Sequence, residues 1–159
     1  MSLQPSENPS YTPDEYYDNT NAFEGSCVDS TYENYGGIAI ELVGTLEDCY
    51  GHCQEAVSTD QMLSDSHVGV QYDYNEALCG CMAEAGVNQP TEESLMNLLR
   101  EIEPKSNYTW NNAHTIVEYG QMGAGAILRG NLEEGRVCVP YLVSVQVQFT
   151  PFWFSLTRT

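Results

Sequence analysis

Two short stretches hold most of the chain's reactive side chains. Cys49-x₃-Cys53 ("CYGHC") is followed about two dozen residues later by Cys79-x-Cys81 ("LCGCM"), and Cys27 and Cys138 stand far outside both. Thiols spaced this way can build a metal cage, a redox pair or structural disulfides. Zinc ribbons present Cys-x₂-Cys knuckles on tight turns. Here one pair falls in a helical pattern and the other in a strand pattern, and a four-thiol cage, or one with His52, leaves Cys27 and Cys138 without a role. A Cys-Gly-Cys in a strand also lacks the helix N-terminus that lowers a thiol's pKa. Six cysteines, an even number, are therefore expected to form three structural disulfides, which implies an oxidising compartment and no cysteine-bound metal.

Other chemistry is sparse. His52, His67 and His114 have no Gly-x-Ser-x-Gly, His-Glu-x-x-His or Walker pattern around them, and the glycine-rich "GQMGAGAILRG" reads as a turn. The carboxylates are too numerous for the sequence to single out a catalytic pair. Calcium is the one cofactor the acids suggest, through Asp60, Asp65, Asp73 and Glu76, although no Asp-x-Asp-x-Asp-Gly loop is present. Candidate binding aromatics are Tyr72 and Tyr74 and the platform Phe152, Trp153 and Phe154 in "FTPFWF". Asn107 opens an N-glycosylation sequon, "NYT", in a polar stretch.

These residues need elements to position them. Residues 1–26, rich in Ser, Asn, Pro, Asp and Tyr without an apolar period, read as a flexible acidic arm before a single domain over 27–159. Tyr11, Tyr16 and Tyr17 among its acids suit sulfation or a partner contact. "GGIAIELVG" reads as a strand, and Thr45 with Asp48 caps a helix over "TLEDCYGHCQEAV". A polar loop, "STDQMLSDSH", precedes a strand in which Val68, Val70, Tyr72 and Tyr74 share one side, and "ALCGCMA" returns from it. A second helix is predicted over "TEESLMNLLREI", capped by Thr91, with Leu95, Leu98, Leu99 and Ile102 on one face. Short strands are expected near 115–119 and 125–128. The clearest alternation places Val143, Val145, Val147 and Phe149 on one side of a final strand. The fold class is α+β: an antiparallel sheet with one helix stapled to its face by disulfides, plus a second helix.

Cys49 and Cys53 share a helix face, and Cys79 and Cys81 share a strand face, so two roughly parallel bridges can join them. A bridge within Cys79-Gly80-Cys81 is excluded by ring strain. Cys27 and Cys138 then tie the domain's ends together. The expected order is nested, Cys27–Cys138, Cys49–Cys81 and Cys53–Cys79, with the pairing inside the inner set left open between its two orders.

The chain resembles the PAN/apple family of disulfide-built extracellular modules. The resemblance lies in the helix bearing "CYGHC", the aromatic strand "GVQYDY" and the cysteine on the next strand in "ALCGC"; it covers residues 27–83, with Cys138 added by analogy to the family's outer closure. The chain departs from that family in placing both inner partners in one Cys-x-Cys and in a long 82–137 segment with its own helix. "GVQY" followed by "CGC" is also similar to WSC-type modules, which carry more cysteines. Either resemblance implies an extracellular module that binds protein or carbohydrate and is not an enzyme.

Charge narrows the partners. Residues 1–99 hold 18 Asp or Glu and no Lys or Arg, while residues 100–159 hold five of each, for a net charge of −18. That field repels nucleic acid and leaves cationic partners, basic proteins and divalent cations open. The uncharged run from Val137 to Leu156 alternates and contains Pro140 and Pro151, so no membrane span is expected. The N-terminus has neither a basic start nor an apolar stretch, so an exported form is expected to have its signal outside this chain. The alternative to a binding or adhesion module is a self-assembling subunit of an extracellular filament, coat or matrix.

Overall fold

A computed structural model describes residues 16–86, 90–106, 110 and 115–142. The sequon at Asn107, His114, the strand expected over 143–149, the platform Phe152, Trp153 and Phe154, and the first fifteen residues lie outside them.

The elements run β1 (Phe23–Glu24), β2 (Cys27–Val28), β3 (Gly36–Ile40), α1 (Leu46–Thr59), α2 (Gln61–Ser66), β4 (His67–Asp73), β5 (Leu78–Ala83), α3 (Glu92–Ile102), β6 (Thr115–Glu118), β7 (Arg129–Gly130) and β8 (Arg136–Pro140). Six strands form an antiparallel sheet in the order β1-β8-β4-β5-β3-β6, and β2 pairs with β7 in a separate ribbon. The fold is the α+β arrangement expected: an antiparallel sheet with disulfide-linked helix α1 on one face.

Pairing fixes which residues share a face. Val137, Tyr72, Cys79, Ile40 and Thr115 form one row across β8, β4, β5, β3 and β6, and Val139, Val70, Cys81, Ile38 and Val117 form another. These rows carry the main core, which α1 and α3 cover with Tyr50, Cys53, Ala56, Leu95, Leu98, Leu99 and Ile102. The row between them, Cys138, Gln71, Gly80, Ala39 and Ile116, faces the other way. The β2–β7 ribbon lies against β4 and β8 on that second face. Cys27, Tyr35, Met82, Ile127 and Cys138 form a smaller core beneath it.

The helices start as their side chains dictate. Thr45 Oγ1 accepts from Asp48 N–H at 3.0 Å, although the reciprocal half of a capping box is not formed there. Thr91 and Ser94 complete a full box at α3. The stretch expected as a polar loop is α2, because Asp60 accepts from Leu63 N–H and Leu63 enters the core.

Three disulfides lock the layers: Cys27–Cys138, Cys49–Cys79 and Cys53–Cys81. The inner pair does not follow the nested order. Strands β3 and β4 both run antiparallel to β5, so they are parallel to each other and α1 is the crossover between them. A crossover helix runs back against the strands it connects. It therefore runs alongside β5 in the same direction, and the first helix cysteine meets the first strand cysteine. Spacing fits too: four helical residues rise about 6 Å and two strand residues about 6.7 Å.

The arm expected over 1–26 does not extend to 26. From residue 16 the chain belongs to the domain. Tyr17 is 1% exposed and stacks on Tyr50 at 4.7 Å, and β1 pairs Phe23 with Cys138. Aromatic area buries regardless of an acidic neighbourhood, and composition alone concealed this. Its burial also removes Tyr17 from any surface modification.

Candidate binding cleft

Face two of the sheet is only partly covered. Where the β2–β7 ribbon stops, a cleft of about 220 Å³ opens over β4, β5 and β3. Its floor is Ala39, Gly80 and Met82; its polar walls include Gln71, Asn34 and Gln121. Gly80 sits in the register between Gln71 and Ala39. A Cβ there would lie 2.7 Å from Met82 Cε and 3.1 Å from Gln71 Cγ, so the missing side chain makes room for those two side chains to pack over the strand.

One end of the cleft is built by Arg136 and Asp73. Arg136 Nε donates to Asp73 Oδ2 at 2.9 Å, and Nη1 donates to Ser26 Oγ at 2.8 Å and Glu133 Oε1 at 3.2 Å. Burial pushes the Asp73 carboxyl up, but Arg136 and the backbone N–H groups of Glu76 and Asn75 outweigh it and hold it below the usual carboxylate range. Glu118 marks the opposite end, on edge strand β6.

The near wall is fixed by Asp29. Its Oδ1 accepts from Thr31 N–H, Thr31 Oγ1 and Glu33 N–H at 2.8–2.9 Å, and its Oδ2 from Ala124 N–H at 3.1 Å. The Glu33 N–H, then the Thr31 hydroxyl, lead in bringing its carboxyl down to about 2. This joins the loop before β3 to the loop after β6. Tyr35, next in that wall, is buried and donates its hydroxyl to Gly125 O at 2.9 Å. Burial first, then the charges of Asp29 and Glu84, raises its phenol to about 12.

Of the residues singled out in the sequence, Tyr72 and Asp73 are among those lining the cleft, and the other described ones fall elsewhere. Tyr72 borders the cleft but is 2% exposed, and it donates its hydroxyl to Val43 O beneath the helix layer, so its ring is part of the core. Tyr74 is 58% exposed beyond the end of β4, with its ring edge-on to Tyr72 at 5.1 Å. The proposed calcium ligands do not converge. Asp60 caps α2, Asp65 accepts from Gln61 and Asp73 holds Arg136. Among the described residues, the one group of three His, Cys, Asp or Glu close enough to share an ion is Cys49, Cys53 and Cys79, whose sulfurs are in disulfides. His52 is buried in the helix layer, edge-on to Trp110 at 5.0 Å. His67 is buried as well: Nδ1 donates to Met82 O and Nε2 accepts from Tyr17 Oη, both at 2.9 Å. Burial lowers its pKa to about 4.

Gln71, Gly80, Arg136 and Gln121 were not anticipated. Gln71 and Gly80 are the off-phase positions of the two strands that were read for their apolar side, and the same alternation marked them. Comparison of the chain with protein-family models, with curated proteins and with solved structures finds no match in any of the three.

Proposed function

We propose that the chain is an extracellular binding or adhesion module, PAN/apple-like in its helix-to-strand staple, that recognises carbohydrate or protein through the cleft over Gly80 without performing catalysis. The observation carrying this reading is the cleft itself: a small concave site lined by Asn34, Gln71 and Gln121, with Asp73–Arg136, Asp29 and the Cys27–Cys138 crosslink fixing the elements around it. No histidine and no thiol is among its described lining residues. Three disulfides agree with an oxidising compartment, and no helix of the described residues is long and apolar enough to cross a membrane.

The test is amide chemical-shift mapping of the whole chain against a panel of soluble glycans and cationic peptides. Shifts clustered at Gln71, Gly80 and Gln121 support the reading; shifts spread elsewhere, or none with any ligand, reject it.

A second reading, a self-assembling filament or coat subunit, draws on β6. Among the described residues no strand pairs with its outer edge, and Ile116 and Tyr119 are exposed there. Light scattering after size exclusion separates the two, since large polymers at neutral pH would favour assembly.

A further inference from the structure

We infer that a second cavity, between α2 and the end of β8, takes the side chain of a lysine from a partner protein. The site shares no described lining residue with the cleft over Gly80 and stands or falls independently of it.

The cavity measures about 150 Å³ and lies where α2 passes into β4 and β8 ends. A space of roughly that volume holds one benzene-sized group, so the occupant is one side chain. Val68, Ile127, Pro140 and Tyr141 supply the apolar part of the lining, and Asp65 and Glu84 the charged part. Val68 and Ile127 are buried, Glu84 is half-buried and Asp65 is exposed. The apolar residues therefore form the floor and the carboxylates the rim.

A long apolar stem ending in a charge matches that gradient. Its methylenes lie along the floor while its head stays at the rim, in contact with water. The rim sets the sign of the head. No Lys or Arg is among the described lining residues, and neither carboxylate is in an ion pair with a described residue. His67 also borders the cavity, but its Nδ1 donates to Met82 O and its Nε2 accepts from Tyr17 Oη. It offers an occupant neither charge nor an uncommitted nitrogen. An anion would meet two negative groups in a chain of net charge −18. Calcium takes roughly six to eight oxygens, and among the described residues no third acid joins these two in reach of one ion.

Lysine fits the rim better than arginine. Glu84 Oε1 already accepts from Gly125 N–H at 2.6 Å, and Asp65 Oδ1 from Gln61 Nε2 at 2.8 Å. Each carboxylate keeps one uncommitted oxygen, which suits a compact ammonium and not the two-pronged guanidinium fork.

The experiment titrates the isotopically labelled full chain with blocked Gly-x-Gly tripeptides in which x is lysine, arginine, norleucine or glutamate. The lysine peptide should move the amide signals of Asp65, Val68, Glu84 and Ile127, norleucine should bind more weakly, and glutamate should leave the signals in place. Asp65→Asn and Glu84→Gln keep the size and the accepting oxygen of each side chain. Each should weaken lysine binding about two- to fivefold, the scale of one exposed ion pair. The norleucine comparison uses the native chain and stays decisive if a variant fails to fold. Norleucine or glutamate binding as tightly as lysine overturns the charged rim, and arginine binding more tightly overturns the choice of lysine. Lysine binding unchanged in both variants overturns the site, as does silence at these signals. Lysine shifts confined to Gln71 and Gly80 overturn this inference and leave the cleft over Gly80 standing.

Discussion

Cys53 Sγ and Cys79 Sγ belong to different disulfides and lie 3.9 Å apart. The two inner bridges are thus neighbours within one buried cluster, and the rival pairing is a local rearrangement away. Non-reducing peptide mapping should find Cys27–Cys138, Cys49–Cys79 and Cys53–Cys81 in the native protein. A catalytic amount of thiol in mild urea should produce the isomer Cys49–Cys81 and Cys53–Cys79. The thiolate attacks Cys49, the released Cys79 attacks Cys53, and the released Cys81 attacks the mixed disulfide and regenerates the thiol. A native map that already shows the isomer would refute the crossover direction assigned to α1.

The outer bridge closes the longest loop, with partners 111 residues apart. Replacing Cys27 and Cys138 together with serine should cost roughly 2–5 kcal/mol, read as a drop in the urea midpoint. Because this bridge pins the ribbon that bounds the cleft, ligand binding should fall with it even well below the melting temperature.

His67 should give the protein an acid-labile window. Its pKa is about 4 when folded, against 6.5 for the free side chain. The unfolded chain thus takes up a proton that the folded one refuses. Stability from this site is complete above pH 6.5 and is lost as pH falls toward 4, by roughly 3 kcal/mol. Urea midpoints measured from pH 7.5 to 4.5 should follow that slope, and His67→Gln should flatten it. A His67 ring titrating near 6.5 by NMR would rule this out.

Asp29 acts lower on the pH scale and with the same sign. Its carboxyl, at about 2 when folded against 3.8, contributes stability above 3.8 that disappears as pH falls through 2. Asp29→Asn should melt earlier than the native protein at pH 7 and converge with it near pH 2. The same variant should loosen the wall between residues 31–34 and 123–125, seen as faster amide exchange at Ala124.

Tyr72 and Tyr74, two residues apart, should behave oppositely. Tyr72→Phe leaves Val43 O without its buried donor and should cost about 1 kcal/mol. Tyr74→Ala, at an exposed position, should change stability by no more than about 0.5 kcal/mol. Thermal melts of the two variants decide this.

Much of the architecture was legible in local pattern. Thr91 to Ile102 carried its cap and its apolar stripe in plain order, and it is a helix. The alternation around Val70 and Tyr72 marked β4, and the alternation around Cys79 and Cys81 marked β5. Val68 was assigned to the wrong side because the register slips between His67 and Gly69, and no periodicity shows a bulge. The disulfide order was missed for a topological reason. It depends on β3 and β4 being parallel around β5, a relation among three separate segments. Tyr17 was missed because an isolated aromatic in a polar stretch has no period to betray it. The cleft escaped for another reason: apolar residues announce a core, whereas a glycine and a glutamine announce a site only once the opposite face is known to be filled.

Strand β5 carries two jobs on alternate residues. Cys79 and Cys81 hold the helix layer, while Gly80 and Met82 face the cleft from the same backbone. The two faces of the sheet are therefore served by interleaved letters of one short word. Positions 80 and 82 answer to the second layer instead: Met82 packs in the core with Cys27 and Cys138, Gly80 leaves room for its methyl, and Gln71 accepts from Cys27 N–H. In "CGC" the outer letters fasten one layer, and the middle letter leaves room for the other.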